Sequence, residues 1–423
     1  MTGQVPAAGR RGNPGRPAVF LHIGEPKTGT TFLQQILWGN RDWLAAQGVA
    51  LPGHHAQDHY RASQDLRGLE VMPADPAGSW AGEWEILAGQ AKRAPKSAVI
   101  SHELFSAADA EQAERAVRSL QPADVHLILT VRDMATLLPA EWQESVKHRS
   151  TRGWEDWLGD VIDRESRDPG RRRWWFWCVH DTLAILDTWS RHVPAERVHV
   201  ITTPPRGSGS GLLWERFASV LGVDPARADL SMARQNTSLG VPEVEFLRRL
   251  NQELPPEVPN WFYMWRVKEG IAHRAGPRRP GGGRLVLPSG RDTWAKEQAE
   301  ALIAGLADSG YDLVGDLGEL RPRPVTEPGV SPADQPAERV LDAAVQATVA
   351  MVVNQYDQAY PAAGPNPGPG AARGLARRLE SALASRPRVK RAVRELSSRS
   401  PAVRRLRVLA WQELERTRAR RRA

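Results

Sequence analysis

The residues best suited to chemistry lie in a short loop within the stretch VFLHIGEPKTGTTFLQQIL (19–37). An apolar run leads into a turn that carries Lys27, and a segment with helical spacing follows. The backbone N–H groups of Gly29, Thr30 and Thr31 at the start of that helix would point at one spot, and the helix dipole adds partial positive charge there. Together with the Lys27 ammonium and the two threonine hydroxyls, these groups predict an anion-binding loop.

The order of lysine and glycine separates this loop from that of nucleoside triphosphatases. Their loop reads G-x-x-x-x-G-K-[ST], with the lysine after the second glycine and a hydroxyl on a magnesium ion. Gly24 and Gly29 have the matching separation, but Thr30 stands where that lysine belongs, and Lys27 precedes the glycine. A nucleotide-dependent kinase of this kind is therefore disfavoured and stays an alternative.

Two acid–base candidates follow a predicted strand at 98–101. His102 and Glu103 come at its carboxyl end, which is where a parallel sheet binds its ligands. Neighbouring side chains of a strand face opposite ways, so one of the two is expected to face the cleft. We favour Glu103 and keep His102 as the alternative, and either residue could instead cap the following helix.

The elements that must position these residues predict an α/β fold, with a three-layer, P-loop-like parallel sheet flanked by helices and a helical C-terminal extension. The predicted strands are 19–23, 98–101, 125–131 and 198–202, and the predicted helices are 31–47, 111–120, 183–191, 212–221 and a last core helix that begins at Trp294 and ends near Gly310. A tryptophan-rich middle is interpreted as core or lid, or as an aromatic wall for a bound ring.

The predicted domain organisation is a flexible leader, the α/β domain, a linker, an accessory helix, a second linker and a basic tail that is helical or disordered. Their ranges are 1–17, 18–322, 323–334, 335–360, 361–374 and 375–423.

Charge and cysteine content restrict the compartment and the partners. The net charge is +8, but residues 371–423 carry +13 (17 basic against 4 acidic), which leaves −5 for the rest. Such a tail is compatible with an anionic membrane surface, whereas Trp411 as its sole aromatic residue makes nucleic acid an unlikely partner. The single cysteine, Cys178, fits a reducing compartment, so we expect the cytoplasm, with a peripheral position at the inner membrane face as the alternative.

The run PKTGTTFLQ resembles the 5′-phosphosulfate-binding loop of sulfotransferases that use 3′-phosphoadenosine-5′-phosphosulfate (PAPS). The resemblance implies that Lys27, Thr28, Gly29, Thr30 and Thr31 hold PAPS. It also implies that Lys27 is catalytic, because its ammonium would neutralise charge on the leaving group.

A second stretch, VHLILTVRDMATLLPAEWQESVKH (125–148), is similar to the 3′-phosphate element of that family. Arg132 matches the family's arginine at a strand end. The serine expected eight residues later is Ala140, and Ser145 lies about 140° further round a helix, so it does not replace that serine. Gln143 shares the face of Ala140 and is the candidate replacement.

The resemblance implies transfer of a sulfuryl group from PAPS to a hydroxyl or amine, with Glu103 or His102 as the base and without a metal. The sequence does not identify the acceptor, which could be a small molecule, a lipid or a carbohydrate. His59 is the candidate to contact it. The loop that carries His59 holds further histidines, but their spacing is not that of metal ligands. As in relatives, the basic segment 276–284 is expected to close on the 3′-phosphate. A non-catalytic nucleotide-binding module anchored by its basic tail is the remaining alternative.

Overall fold

The computed structural model describes residues 15–69, 80–163, 175–209, 211–233, 239–272, 283–288, 290–323 and 329–359. It divides into two units, 1–351 and 352–423, and the second is described only through the end of the last helix. The second predicted linker, the basic tail, most of the leader and most of the basic segment 276–284 lie outside the described residues.

A six-stranded, wholly parallel sheet with the strand order β2-β3-β1-β4-β5-β6 forms the centre of the first unit. Helices flank it, which confirms the predicted fold class. The strands are β1 (Ala18–Gly24), β2 (Val49–Ala50), β3 (Ser97–Ser101), β4 (Asp124–Val131), β5 (Val198–Thr202) and β6 (Asp312–Val314).

Alternation along β1 shows why the sheet is covered on both faces. Val19, Leu21 and Ile23 are fully buried in a core on one face of the sheet, whereas Phe20 packs into a core on the opposite face. Successive side chains of a strand point to opposite faces, and a parallel sheet covered on both sides therefore reads as a continuous apolar run.

The helices are α1 (Thr30–Gly39), α2 (Arg41–Ala46), α3 (Ala56–Leu66), α4 (Glu83–Ala91), α5 (Ala110–Leu120), α6 (Met134–Lys147), α7 (Trp154–Ile162), α8 (Trp175–His180), α9 (Thr182–Ser190), α10 (Leu212–Leu221), α11 (Val241–Glu253), α12 (Asn260–Tyr263), α13 (Asp292–Ala307) and α14 (Ala337–Ala359). A π-helix at Met264–Ala272 continues α12, and a 3₁₀ helix at Glu103–Ala107 follows β3.

The single helix predicted at 31–47 is two helices, α1 and α2, with a break at Asn40. The Asn40 side chain donates to the carbonyl of Ile36 at 2.9 Å and to that of Asp229 at 3.0 Å, so it satisfies carbonyls at the break. The two edge strands, β2 and β6, were not predicted, because two or three residues are too few to show a hydrophobic period.

A second apolar core lies away from the sheet and explains many of the tryptophans. It joins α6, α7, α8 and α11 with α13 and α14, and its aromatic members include Trp142, Trp154, Trp157 and Trp177. The rings of Trp142 and Trp154 are 5.7 Å apart between centroids. The tryptophan-rich stretches 171–180 and 260–270 contribute Trp177 to this core, whereas Trp175, Trp261 and Trp265 are exposed.

The chain leaves β1 and β4 in opposite directions, the first toward β2 and the second toward β5. An open parallel sheet binds its ligands in the crevice at such a point, outside the carboxyl ends of the strands. The loop that follows β1 and the turn that follows β4 meet there.

Candidate functional site

The anion-binding loop between β1 and α1 is held by hydrogen bonds to its backbone carbonyl groups. The Thr130 hydroxyl, at the end of β4, donates to the Gly24 carbonyl at 2.9 Å. The Thr28 hydroxyl turns back to the Glu25 carbonyl at 2.5 Å. Thr28 is fully buried and its hydroxyl stabilises the loop, and the assignment of Thr28 to the nucleotide site stays a prediction.

Two further side chains fix the next part of the loop. Arg132 donates from Nη1 to the Lys27 carbonyl at 3.0 Å, and Thr203 donates to the Thr28 carbonyl at 2.8 Å. Lys27 adopts φ = 61°, in the left-handed region that non-glycine residues rarely occupy. These contacts turn the loop carbonyls toward the strand ends and hold an otherwise unfavourable backbone conformation.

The amide N–H groups at the start of α1 remain available. In the described residues, the N–H groups of Gly29, Thr30 and Thr31 donate to no protein acceptor, and no side chain caps the helix. Gly29 has φ = 95°, and a Cβ there would lie 2.4 Å from Cδ2 of Leu213. Glycine is therefore required at the position where the chain turns its amides outward. Unsatisfied N–H groups at the positive end of a helix form an anion site.

Lys27 lies two residues before Gly29, the N-cap of α1, and its side chain contacts α6. Its Nζ lies 2.6 Å from Oε2 of Glu144, and its side chain is 26% exposed. Burial alone would lower the pKa of the Lys27 ammonium, but the carboxylates of Glu144, Glu141 and Glu103 together raise it above its ordinary value. Lys27 is therefore a permanent cation at neutral pH.

Glu144 is surrounded by basic side chains, which we call the Glu144 cluster: Lys27, Lys147, His148 and Lys268. Lys147 Nζ lies 2.6 Å from Oε2, Lys268 Nζ 2.8 Å from Oε1, and His148 Nε2 3.2 Å from Oε1. Burial would raise the pKa of Glu144, but the His148 hydrogen bond and the three ammonium groups lower it far below its usual range. The cluster contains more positive than negative charge.

Glu103 enters the site from the 3₁₀ helix after β3. Gln34, on α1, donates from Nε2 to Glu103 Oε2 at 2.9 Å. Burial would raise the pKa of the Glu103 carboxyl, but His102, this hydrogen bond and the Lys27 charge hold it below its ordinary value. Glu103 is therefore ionised at neutral pH, and it lies on the loop side of the sheet.

His102, the alternative base, caps the 3₁₀ helix, since its Nδ1 accepts from the Leu104 amide at 3.2 Å. Burial lowers the pKa of His102, Glu103 opposes this effect, and Arg67 adds to it. The imidazole is therefore neutral at neutral pH. Of its two ring nitrogens only Nε2 is left for chemistry.

Arg132 and Arg284 form a second basic region. Burial lowers the pKa of the Arg132 guanidinium, Asp133 opposes this effect and Arg284 adds to it. Arg284 is the described end of the basic segment 276–284, and its guanidinium lies close enough to Arg132 to affect its pKa. Two guanidinium groups that repel one another are suited to share a phosphate.

The face of α6 that carries Ala140 is turned toward the loop. Glu144, four residues on, shares that face and contacts Lys27. Gln143 is 7% exposed, and its side chain makes no hydrogen bond within the described residues. The Ser145 hydroxyl donates back to the Trp142 carbonyl at 2.8 Å.

His59, the candidate acceptor contact, lies behind the site rather than on its surface. It is fully buried, its Nε2 pairs with the Pro52 carbonyl at 2.9 Å, and its Nδ1 accepts from the Ser101 amide at 3.2 Å. Burial lowers the pKa of His59 to about 4. Both ring nitrogens are occupied, so the imidazole ties α3 to β3.

A buried ionic network of His180, Glu25 and Glu141 holds the loop on its interior side. His180 Nδ1 lies 3.4 Å from Oε2 of Glu25, and His180 Nε2 lies 3.6 Å from Oε2 of Glu141. Thr182 donates to the other oxygen of Glu25 at 2.5 Å. Burial would lower the pKa of His180, but the two carboxylates raise it to about 9. A buried imidazolium thus connects the loop to α6.

The structure brings Lys27, Gly29, Thr30, Thr31, Glu103 and Arg132 to the carboxyl ends of β1, β3 and β4. The sequence analysis missed Gln34, Glu144, Lys147 and Lys268, whereas Arg284 belongs to the basic segment 276–284 that it singled out. Helical spacing could have found two of them, because residues three or four apart share a helix face. Glu144 lies four residues after Ala140, and Gln34 lies three residues after Thr31. Lys268 has no comparable signal, because its segment is 124 residues from Glu144.

No set of three or more His, Cys, Asp or Glu side chains in the described part of the chain is arranged to hold a metal ion. None of the described helices is both long and apolar enough to cross a membrane.

Comparisons with known proteins give one structural likeness. The search against protein-family models and that against curated proteins gave no match. A crystal structure of a sulfotransferase from Alicyclobacillus acidocaldarius is similar over 60% of this chain and 96% of that chain, with 16% sequence identity and a TM-score of 0.34. This likeness concerns the course of the chain and not its chemistry.

The raised pKa of His180 predicts a pH dependence of stability. A group whose pKa is higher in the folded state stabilises the folded protein. For His180 this stabilisation is complete at pH values below the unfolded pKa, near 6.5, and it is lost as the pH rises through the folded pKa, about 9. The free energy of unfolding should therefore fall over this interval by up to about 1.4 kcal/mol per pH unit. His180→Gln should be less stable at pH 6 and should lack this fall.

Urea denaturation at a series of pH values measures this effect. His54→Gln, at an exposed histidine, is the matched control and should keep the wild-type slope. Equal slopes in His180→Gln and the wild type would contradict the role of the buried imidazolium.

Proposed function

We propose that this protein is a sulfotransferase that moves the sulfuryl group of PAPS to a hydroxyl or amine of an acceptor. The observation that carries the proposal is the convergence of three distant segments. The Lys27 loop, Glu103 and Arg132 meet at the carboxyl ends of β1, β3 and β4. The resemblance to PAPS-dependent sulfotransferases implies a role for each of them at one site.

The 5′-phosphosulfate is assigned to the loop. The amides of Gly29, Thr30 and Thr31 and the positive end of α1 would hold its anionic oxygens. Lys27, fully charged and at the same end of the helix, would neutralise charge on the oxygen that leaves. Arg132 and Arg284 would hold the 3′-phosphate, with Gln143 as a further hydrogen-bonding partner on α6.

The transfer step follows from these positions. The acceptor oxygen or nitrogen forms a bond to sulfur while the bond between sulfur and the 5′-phosphate oxygen breaks, and 3′-phosphoadenosine 5′-phosphate (PAP) leaves. The acceptor proton passes to the carboxylate of Glu103. By analogy with phosphoryl transfer, catalysis is then mainly positioning and charge stabilisation, which fixed amides and an ammonium supply.

Nucleotide selectivity is the direct test of the proposal. PAP should raise the melting temperature of the full chain, because a ligand that binds only the folded state stabilises it by about 2.7 kcal/mol at a hundredfold excess over Kd. ADP, and ATP with magnesium, should raise it less, since they lack the 3′-phosphate. Thermal-shift assays at equal ligand concentrations measure this. A larger shift with ATP and magnesium would favour the kinase alternative.

Loss of the Lys27 ammonium should abolish transfer without unfolding the protein. Lys27→Ala removes the charge next to the leaving group, whereas Lys296→Ala, at an exposed position on α13, is the matched control. The measurement is transfer of radiolabel from PAPS to a panel of phenols, glycans and lipids, alongside circular dichroism. Near-wild-type turnover in a folded Lys27→Ala variant would remove the mechanism.

Glu103 and His102 can be separated as bases by substitution. Glu103→Gln keeps the hydrogen-bonding shape but not the basicity, so kcat should fall by about 10²–10⁴-fold. His102→Asn, which retains a side-chain acceptor for the Leu104 amide, should lower kcat much less. The reverse order of the two kcat values would assign the base to His102.

A further inference from the structure

Glu144 is an unexpected neighbour for a lysine assigned to a phosphosulfate. Its Oε2 lies 2.6 Å from Lys27 Nζ, and its side chain is only 17% exposed. A carboxylate at this distance lowers the positive potential that Lys27 offers to any anion, and partial burial strengthens the effect because water screens it less. The contact therefore opposes anion binding at the loop.

The carboxylate of Glu144 does not depend on Lys27 for its own pairing. Lys147 Nζ lies 2.6 Å from the same Oε2, and Lys268 Nζ lies 2.8 Å from Oε1. If Lys27 moves toward a ligand, Glu144 keeps two ammonium partners and is not left as an unpaired buried charge, so the movement avoids a large desolvation cost.

The arrangement also constrains where Glu144 can go. It is four residues from Ala140 on the loop-facing side of α6, and the two other lysines contact it from α6 itself and from the π-helix. These contacts hold the carboxylate next to Lys27 rather than in solvent. A structural ion pair would need one lysine, whereas this cluster supplies three.

We propose that Glu144 is a positioning residue that competes with the anionic nucleotide for Lys27 and thereby weakens the binding of the nucleotide product. This inference rests on the proposed function for the identity of that nucleotide. The pair Lys147 and Lys268 holds Glu144 in place while Lys27 exchanges one anion for another. The benefit is faster release of PAP, because in many enzymes product release limits turnover.

The test is the affinity of the full chain for PAP, measured by isothermal titration calorimetry with Glu144→Gln. The amide keeps the size of the side chain but removes the negative charge, so PAP should bind about tenfold more tightly. Most of the gain should appear as a slower dissociation rate. Glu245→Gln is the matched control, since Glu245 is a buried carboxylate paired with Arg248 and Arg249, and it should leave PAP affinity unchanged.

Glu144→Asp keeps the test decisive if Glu144→Gln does not fold. It preserves the charge but withdraws it by one methylene from Lys27, so PAP should bind more tightly than to the wild type, by less than tenfold. Unchanged or weaker PAP binding in either folded variant would overturn the inference. If the wild type itself binds no PAP, the proposed function fails. If the wild type binds PAP but the Glu144 variants do not bind it more tightly, only the inference about Glu144 fails.

Discussion

The site depends on one constraint, which is that the backbone carbonyl groups of a buried loop must be hydrogen-bonded. Thr130, Arg132 and Thr203 meet this requirement from the ends of β4 and β5. A peptide group that turns its oxygen toward the sheet turns its N–H the other way. The outward direction of the amides at Gly29, Thr30 and Thr31 therefore follows from how the carbonyls before them are satisfied.

Charge compensation is the second requirement, because several ionised groups are removed from water. Behind the loop, the His180 imidazolium lies between the carboxylates of Glu25 and Glu141. In front of it, Lys27 lies next to Glu144. Each charge has an opposite neighbour within 4 Å, which keeps the desolvation cost tolerable. The loop thus lies between the ionic network of His180, which fixes it, and the Glu144 cluster, which gives the site its surplus positive charge.

Helix α6 connects these charges to the rest of the molecule. It follows Arg132 directly, directs Glu141 and Glu144 toward the loop, and inserts Trp142 into the second core. A shift of this core would move both carboxylates relative to the loop. The aromatic packing away from the sheet is therefore part of what positions the site, even though none of its tryptophans is assigned to bind the ligand.

The sequence by itself determined the strand, turn and helix around Lys27, because the apolar run, the glycine and the helical period are contiguous and local. It also predicted four of the six strands and several of the helices, but not α3, α4, α7 or α8. The two short edge strands escaped because two or three residues show no hydrophobic period, and the break at Asn40 escaped because its partner Asp229 lies far along the chain.

Only the tertiary structure decided which side chains share the site. The contact between Lys27 and Glu144 spans 117 residues, and Glu103 meets Gln34 across 69. It also decided that the Thr28 hydroxyl and the His59 imidazole serve the protein interior. Residue type reveals what a side chain can do, whereas the packing of distant helices determines which partner occupies its polar atoms, and no local pattern encodes that choice.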